Sequence, residues 1–223
     1  MTWDKGWDSL FKKYKWGTYP NEHLVRFLKS DLKKPQKKNL KILEIGCGTG
    51  ANFYLYNKEK LKIFAIDGSQ NAIKFAKKQA KENDYIINFE IGDIEKLPYE
   101  NSFFDYVVDV ECLYSNDESS TRKILLEINR VLKNSGKFFS LSFGTKTSGY
   151  SSGKKLKNEN NTFTEVKSGA LKSDYNLIRY MTKKDILDIY SCFKIVSIDN
   201  SIWTKNNEKL KIQEWIIVCQ KKI

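Results

Sequence analysis

A doubly wound α/β fold, with a mostly parallel sheet covered by helices on both faces, is predicted by three features of the sequence. Short apolar runs rich in β-branched residues recur near residues 41–45, 62–66, 86–91, 104–110 and 138–143. The stretches between them are long enough for crossover helices, and most carry helical apolar spacing. The first run, Lys41-Ile-Leu-Glu-Ile45, breaks into glycines at 46, 48 and 50. Alternating glycines let the backbone turn sharply and expose bare main chain to a ligand ahead of the next helix.

With 223 residues, 40% hydrophobic and 13% aromatic, the chain can bury one substantial core. No apolar run reaches the roughly 18 residues of a spanning helix. Met1-Thr-Trp-Asp-Lys5 lacks the apolar centre of a signal peptide, so a cytoplasmic location is expected. The four cysteines, Cys47, Cys112, Cys192 and Cys219, form no C-x-x-C pair and read as reduced structural thiols. One histidine, His23, leaves no material for a His-based triad or a multi-histidine centre, and no metal is expected. A net charge of +12 makes RNA a possible partner. The excess is lysine, however, and only Arg26, Arg122, Arg130 and Arg179 offer bidentate phosphate contacts.

Residues 1–21 hold Trp3, Trp7, Phe11, Tyr14, Trp16 and Tyr19, too many aromatics for a solvated tail, and should dock on the domain or a ligand. Asn21 or Pro20 starts a helix through about Ser30, its apolar face built from Leu24, Val25, Phe27 and Leu28. The lysine-rich run 33–38, interrupted by Pro35, reads as a linker. The chain thus divides into an N-terminal segment, 1–40, and a main domain, 41–223.

Beyond the glycine loop a helix is expected over about 51–56. The second strand ends on Asp67-Gly68, Ser69 caps a helix to about Glu82, and the third strand ends on Gly92-Asp93. Asp117 and Glu118 open a helix with Ile124, Leu125, Ile128, Val131 and Leu132 in its stripe, closed by Lys133 and an Asn134-Ser-Gly136 turn. Residues 144–174, rich in Ser, Gly, Lys and Asn, read as a long irregular lid or binding loop. Thr182 and Asp185 have capping-box spacing for a helix to Tyr190. Strands near 193–198 and 214–220, joined by a loop 201–210, close the chain as an antiparallel hairpin at a sheet edge.

The pattern Gly46-x-Gly48-x-x-Ala51 also satisfies the dinucleotide fingerprint, so the glycines alone leave a nicotinamide enzyme open. The acidic residues discriminate. Glu44 stands two positions before Gly46, where dinucleotide enzymes keep an apolar residue, and Asp67 and Asp93 end the next two strands. Together these residues resemble the class I S-adenosylmethionine-dependent methyltransferases, whose first motif, L-[DE]-[IVL]-G-C-G-x-G, is matched at every position from Leu43 to Gly50. The resemblance continues in Ile66-Asp67-Gly-Ser69, in Gly92-Asp93 before Leu97-Pro98, in Phe103-Phe-Asp105-Tyr-Val-Val108, and in Arg130-Val-Leu-Lys-x-x-Gly136.

The resemblance implies a Rossmann-like, three-layer, seven-stranded sheet with an antiparallel last strand, and S-adenosyl-L-methionine as cofactor. It implies that Glu44 orients the loop and favours the methionyl end, while Gly46, Cys47, Gly48 and Gly50 admit the cofactor. Asp67, with Gly68, would accept from the ribose hydroxyls, and Asp93 from the adenine amine, with Ile94 against the ring. Glu111, at the carboxyl end of the fourth strand, reads as a catalytic base, a cofactor contact or the start of the next helix. Tyr114 reads as a substrate-positioning residue or as core. Trp16 and Tyr19, with His23 nearby, are candidates for a lid whose aromatic faces attract the sulfonium, or for simple packing.

A small-molecule acceptor is the leading expectation, with contacts from the variable region 144–180. There Arg179 and Tyr180 either bind an acidic or hydroxylated group or lie on the surface. A tRNA or protein methyltransferase is the alternative. Asp109-Val-Glu-Cys112 replaces the [DN]-P-P-[FY] signature and argues against transfer to an adenine or glutamine amide nitrogen. A non-catalytic cofactor-binding domain or a nicotinamide enzyme is the reading from another class.

Overall fold

Strand β1, Lys41–Ile45, is flanked on one side by β2, Lys62–Asp67, and on the other by β4, Phe104–Val110, both parallel to it. The computed structural model describes residues 5–14, 17–32, 39–172 and 177–222. Outward from β2 lies β3, Ile87–Ile91, and outward from β4 lies β5, Leu132–Phe143. The hairpin of β9, Phe193–Lys205, and β10, Leu210–Lys221, completes a seven-stranded sheet of order β3-β2-β1-β4-β5-β10-β9. β10 is antiparallel to both neighbours, so the last strand is inserted beside β5 while β9 takes the edge.

Alternation along the apolar runs sorts side chains to the two faces. Leu43, Ile45 and Val107 join one core cluster; Ile42, Ala65 and Val108 join the other. Helices α5, Glu118–Val131, and α6, Lys183–Ile189, cover the first face. The second is covered by α2, Glu22–Asp31, α3, Phe53–Lys58, and α4, Gln70–Glu82. The caps are those read from the sequence. Asn21 accepts from the His23 and Leu24 amides, Ser69 from Ala72, Asp117 from Ser120, and Thr182 and Asp185 make a reciprocal capping box. Among the described residues no helix is long and apolar enough to cross a membrane.

Three expectations are corrected. The presumed turn at Asn134-Ser-Gly136 is an irregular start to β5, with a register shift opposite Phe104 to Tyr106 and Ser135 at φ 69°. The loop expected over 201–210 is mostly strand: pairing runs to Lys205 and Leu210, leaving a turn in which Asn206, Asn207 and Glu208 have positive φ. Its polar sequence reflects an exposed edge rather than a break in pairing. The irregular region after residue 144 contains a second sheet, β6, Lys154–Lys155, β7, Thr162–Thr164, and β8, Ile178–Arg179, over a small core of Phe143, Phe163, Val166, Ile178, Tyr180 and Ile212. Strands this short carry no legible period.

Candidate active site

The glycine loop turns out of β1 with Gly46 at φ +59°, where an added Cβ would lie 2.2 Å from Cys112 Sγ. Both the conformation and this close approach require glycine. The Cys47 amide donates to Ile66 O at 3.1 Å and ties the loop to β2. Beneath it Glu44 is only 3% exposed. Its Oε1 accepts from Asn52 Nδ2 at 2.6 Å, and Asn52 Oδ1 accepts in turn from the Asn21 amide at 2.9 Å. Glu44 Oε2 and the Tyr56 hydroxyl are buried with no partner in hydrogen-bonding geometry. Burial pushes the Glu44 carboxyl up to about 8; the hydrogen bond from Asn52 opposes the shift, and Asp67 and Asp109 add to it.

Asp67 stands at the end of β2. Its Oδ2 accepts from the Gly48 amide and its Oδ1 from the Ser69 amide, each at 2.8 Å, so every oxygen keeps a lone pair for a further donor. Burial raises its pKa against the pull of those two amides. At the end of β3, Asp93 Oδ1 accepts from the Glu95 amide at 3.0 Å. Ile94, next along, is buried.

The end of β4 is shaped by Asp109, fully buried, whose Oδ1 accepts from the Cys112 and Leu113 amides at 2.8 and 3.1 Å. Its Oδ2 accepts from Ser140 Oγ at 2.6 Å. This side chain holds the turn that brings Glu111 to the sheet end, with Glu111 itself at φ 58°, a conformation unusual for a side chain other than glycine. Burial, together with the nearby carboxylates of Glu214 on β10 and Asp109, holds the Glu111 carboxyl well above its usual range. Tyr114 packs edge-on against Phe143, with ring centroids 4.9 Å apart, and meets Trp7 at 6.4 Å.

Helix α1, Gly6–Lys13, lies across these strand ends; Trp7, Leu10, Phe11 and Tyr14 recur at helical spacing, a signal the sequence reading passed over. Asp8 anchors it to the start of α4, accepting from Ser69 Oγ at 2.6 Å and from Asn71 N and Nδ2 at 3.2 and 2.8 Å. Phe11 covers the glycine loop, 3.5 Å from where a Gly48 Cβ would stand.

A cleft of about 690 Å³, partly open to solvent, runs along these elements. Of the residues singled out in the sequence, Gly46, Asp67, Gly68, Asp93, Ile94 and Glu111 line it. Glu44, Cys47, Gly48 and Gly50 do not; they build the loop from behind or beneath. Tyr19 is 87% exposed and outside the lining, and Trp16 lies outside the described residues. His23 instead meets Ser201 Oγ at 3.1 Å on β9. The cleft's aromatic cover is Trp7 and Phe11, from the segment expected to dock on the domain or a ligand, and its wall after β4 is Cys112, Ser115 and Asn116; none of the five was singled out as a site residue in the sequence. The aromatic density before residue 21 and the helical spacing of Trp7, Leu10 and Phe11 are the signals for the cover. Arg179 and Tyr180 are buried rather than on the surface, and Arg179 donates to Leu113 O and Asp117 O at 3.3 and 3.4 Å, behind the cleft wall.

Residues 36–210 match the family described as "Methyltransferase domain". A thiol S-methyltransferase of Mus musculus is 36% identical over 104 residues, 45% of this chain and 41% of that protein. A ubiquinone biosynthesis O-methyltransferase of Pelagibacter ubique is 29% identical over 122 residues, 54% of this chain and 49% of that protein. The chain thus spans about half the length of these curated relatives, or less. Among solved structures, an S-adenosylmethionine-dependent methyltransferase from Methanosarcina mazei superposes with a TM-score of 0.71 at 21% identity, covering 84% of this chain and 95% of that one.

Proposed function

The chain belongs to the class I S-adenosylmethionine-dependent methyltransferases, and from that membership we propose that it transfers a methyl group from S-adenosylmethionine to a small-molecule acceptor. The observation that carries the reading is the cleft across the ends of β1 to β4, which sets Gly46, Asp67, Asp93 and Glu111 along one wall under an aromatic cover.

The residues fit that cofactor. Asp67 has free lone pairs on both oxygens for the ribose hydroxyls, Asp93 and Ile94 offer an acceptor and an apolar face to adenine, and bare backbone at Gly46, Gly68 and Gly92 admits the rest. Ser115 Oγ, buried in the wall with no partner in hydrogen-bonding geometry, is a further polar group for a ligand. When bound, S-adenosylmethionine supplies an electrophilic methyl on a sulfonium, whose departure needs no acid. The chain's own task is then alignment and exclusion of water, worth about 7–11 kcal/mol in favourable cases. We assign Glu111 to receive the acceptor's proton where one must leave, Tyr114 to bound the acceptor side, and α1 to cover the cofactor. In this organisation residues 1–40 form the covering segment, 41–223 the catalytic domain, and 144–180 the region that selects the acceptor.

The thiol and ubiquinone-biosynthesis activities of the two relatives support a small acceptor. Tyr114, outside the cleft lining, packs against the cleft's Trp7 and against Phe143, which places it next to the cleft. Four unpaired cysteines support a cytoplasmic setting. The test is a thermal shift followed by an acceptor screen. A ligand at about 100 times its dissociation constant adds roughly 2.7 kcal/mol, so S-adenosylmethionine and S-adenosylhomocysteine should both raise the melting temperature. Release of S-adenosylhomocysteine with a thiol, phenol or amine panel then identifies the acceptor. Stabilisation by NADH with none by either adenosyl ligand would overturn the assignment.

A further inference from the structure

The chain's excess of positive charge is not spread evenly. Residues 39–143, which build β1 to β5 and most of the cleft's lining, hold 14 lysines and arginines against 15 acidic residues. Residues 144–172 hold six lysines against two glutamates, and residues 205–211, at the turn between β9 and β10, three lysines against one. A general lysine bias in composition would raise all parts of the chain alike. These nine lysines are all exposed, and neither stretch contains an arginine. Glu159 is committed to the Glu118 amide and Thr162 Oγ1, each at 2.8 Å. Glu165 pairs with Lys154 at 2.7 Å, and the other eight lysines form no ion pair among the described residues.

The two stretches form one body. The Ser148 amide donates to Lys211 O and the Lys211 amide to Ser148 Oγ, each at 2.8 Å, and Gly149 lies against Gly169. Ile212 shares the small core with Phe163 and Val166. β10 pairs with β5 only as far as Glu214, opposite Phe143, so the hairpin from Ile202 to Gln213 extends past the end of β5, at the same end of the sheet as the cleft. Near the tip Ile202 and Trp203 are 46% and 45% exposed.

We propose that this lysine-rich end docks, hairpin tip first, on an anionic membrane surface. Lipid headgroups present a diffuse sheet of charge that point-like ammonium groups satisfy, whereas nucleic-acid recognition draws on arginine for bidentate phosphate and base contacts. A tryptophan and an isoleucine near the tip suit the boundary between headgroups and acyl chains. The docking stands apart from the methyltransferase reading. Its consequence for the reaction rests on that reading: the cleft's end of the sheet is turned toward the bilayer, within reach of an acceptor dissolved in lipid.

Co-sedimentation of the full chain with vesicles of phosphatidylcholine, alone or mixed with phosphatidylserine, reads the docking. Binding should require phosphatidylserine and weaken as salt shortens the Debye length from about 30 Å at 0.01 M to about 8 Å at 0.15 M. A triple variant, Lys205→Gln, Lys209→Gln and Lys211→Gln, should lose about 100-fold in binding, near fivefold for each charge. Ile202→Ser should lose about fivefold and keep the salt dependence. Both variants should melt as wild type does, since these four side chains make no hydrogen bond among the described residues. Equal binding to both kinds of vesicle, or an unaltered triple variant, would overturn the proposal. So would tRNA that binds more tightly than the anionic vesicles at the same salt, which assigns the surface to nucleic acid. S-adenosylhomocysteine binding, measured without vesicles, tests the methyltransferase reading separately; its failure removes the lipid-dissolved acceptor and leaves the vesicle result to decide the docking.

Discussion

Replacing Glu44 with glutamine should stabilise the ligand-free protein near neutral pH and change little near pH 5. The folded carboxyl titrates at about 8, against an ordinary 4.5, chiefly through burial. Below both values folded and unfolded chains carry the proton alike, and the side chain costs nothing. Between them the unfolded chain gives up its proton while the folded one keeps it, so stability falls as pH rises, by about 1.4 kcal/mol per unit. From about pH 5 to 7.5 this amounts to roughly 3 kcal/mol, which the non-titrating Glu44→Gln variant escapes. At roughly 2–4 °C per kcal/mol for a domain of this size, the melting temperature of the variant should gain about 6–12 °C on wild type between those two pH values. Packing does not oppose the change, because glutamine keeps an oxygen for Asn52 and gains an N–H beside the unpartnered Tyr56 hydroxyl. Thermal melts of both proteins at the two pH values give the answer. Parallel pH dependences would show that Glu44 is not held neutral in the fold and would refute the reasoning.

Other perturbations address the cleft more directly. Asp67→Ala strips the acceptor from the Gly48 and Ser69 amides, each worth about 1–3 kcal/mol when left buried and unpaired. S-adenosylhomocysteine affinity should fall by roughly 100-fold in calorimetry, and near-wild-type affinity would count against the ribose assignment. Deleting residues 1–20 removes Trp7, Phe11 and the Asp8 anchor, and should weaken cofactor binding by about tenfold with the far-ultraviolet spectrum otherwise preserved; unchanged affinity would eliminate the covering role of α1. Gly46→Ala drives a Cβ to 2.2 Å from Cys112 Sγ at a positive φ. A loss of about 2–4 kcal/mol in urea denaturation is expected, and a neutral outcome would mean that the Cys112 turn moves freely.

Most of the sheet was legible because buried parallel strands read as continuous apolar runs, and β4 has the bounds its sequence shows, Phe104–Val110. Caps at Asn21, Ser69, Asp117 and Thr182 were legible because each acts within a few residues of itself. What escaped depends on distant partners. Nothing near Asp8 announces that it will bond Ser69 and Asn71, and nothing near His23 announces that it will meet Ser201. Glu44 was informative as a motif, but its place beneath the loop follows from β1's alternation together with Asn52, and only the fold shows it apart from the cleft. Arg179 looked like a surface residue because buried arginines are rare. Its guanidinium is held by backbone carbonyls that the sequence cannot bring near.

The segment between β5 and α6 leaves and rejoins the main sheet at almost one point. Gly144 bridges to Met181, and the Met181 amide donates to Phe143 O at 2.9 Å. A detour whose ends touch can lengthen, shorten or be exchanged at small entropic cost, since closing the loop depends only logarithmically on its length. The donor half of the molecule need not register such changes, because Asp67, Asp93 and the glycine loop all precede the detour. On the proposed function, rewriting this one excursion is the way to try new acceptors, provided Arg179 stays to hold Leu113 O and Asp117 O behind the cleft wall.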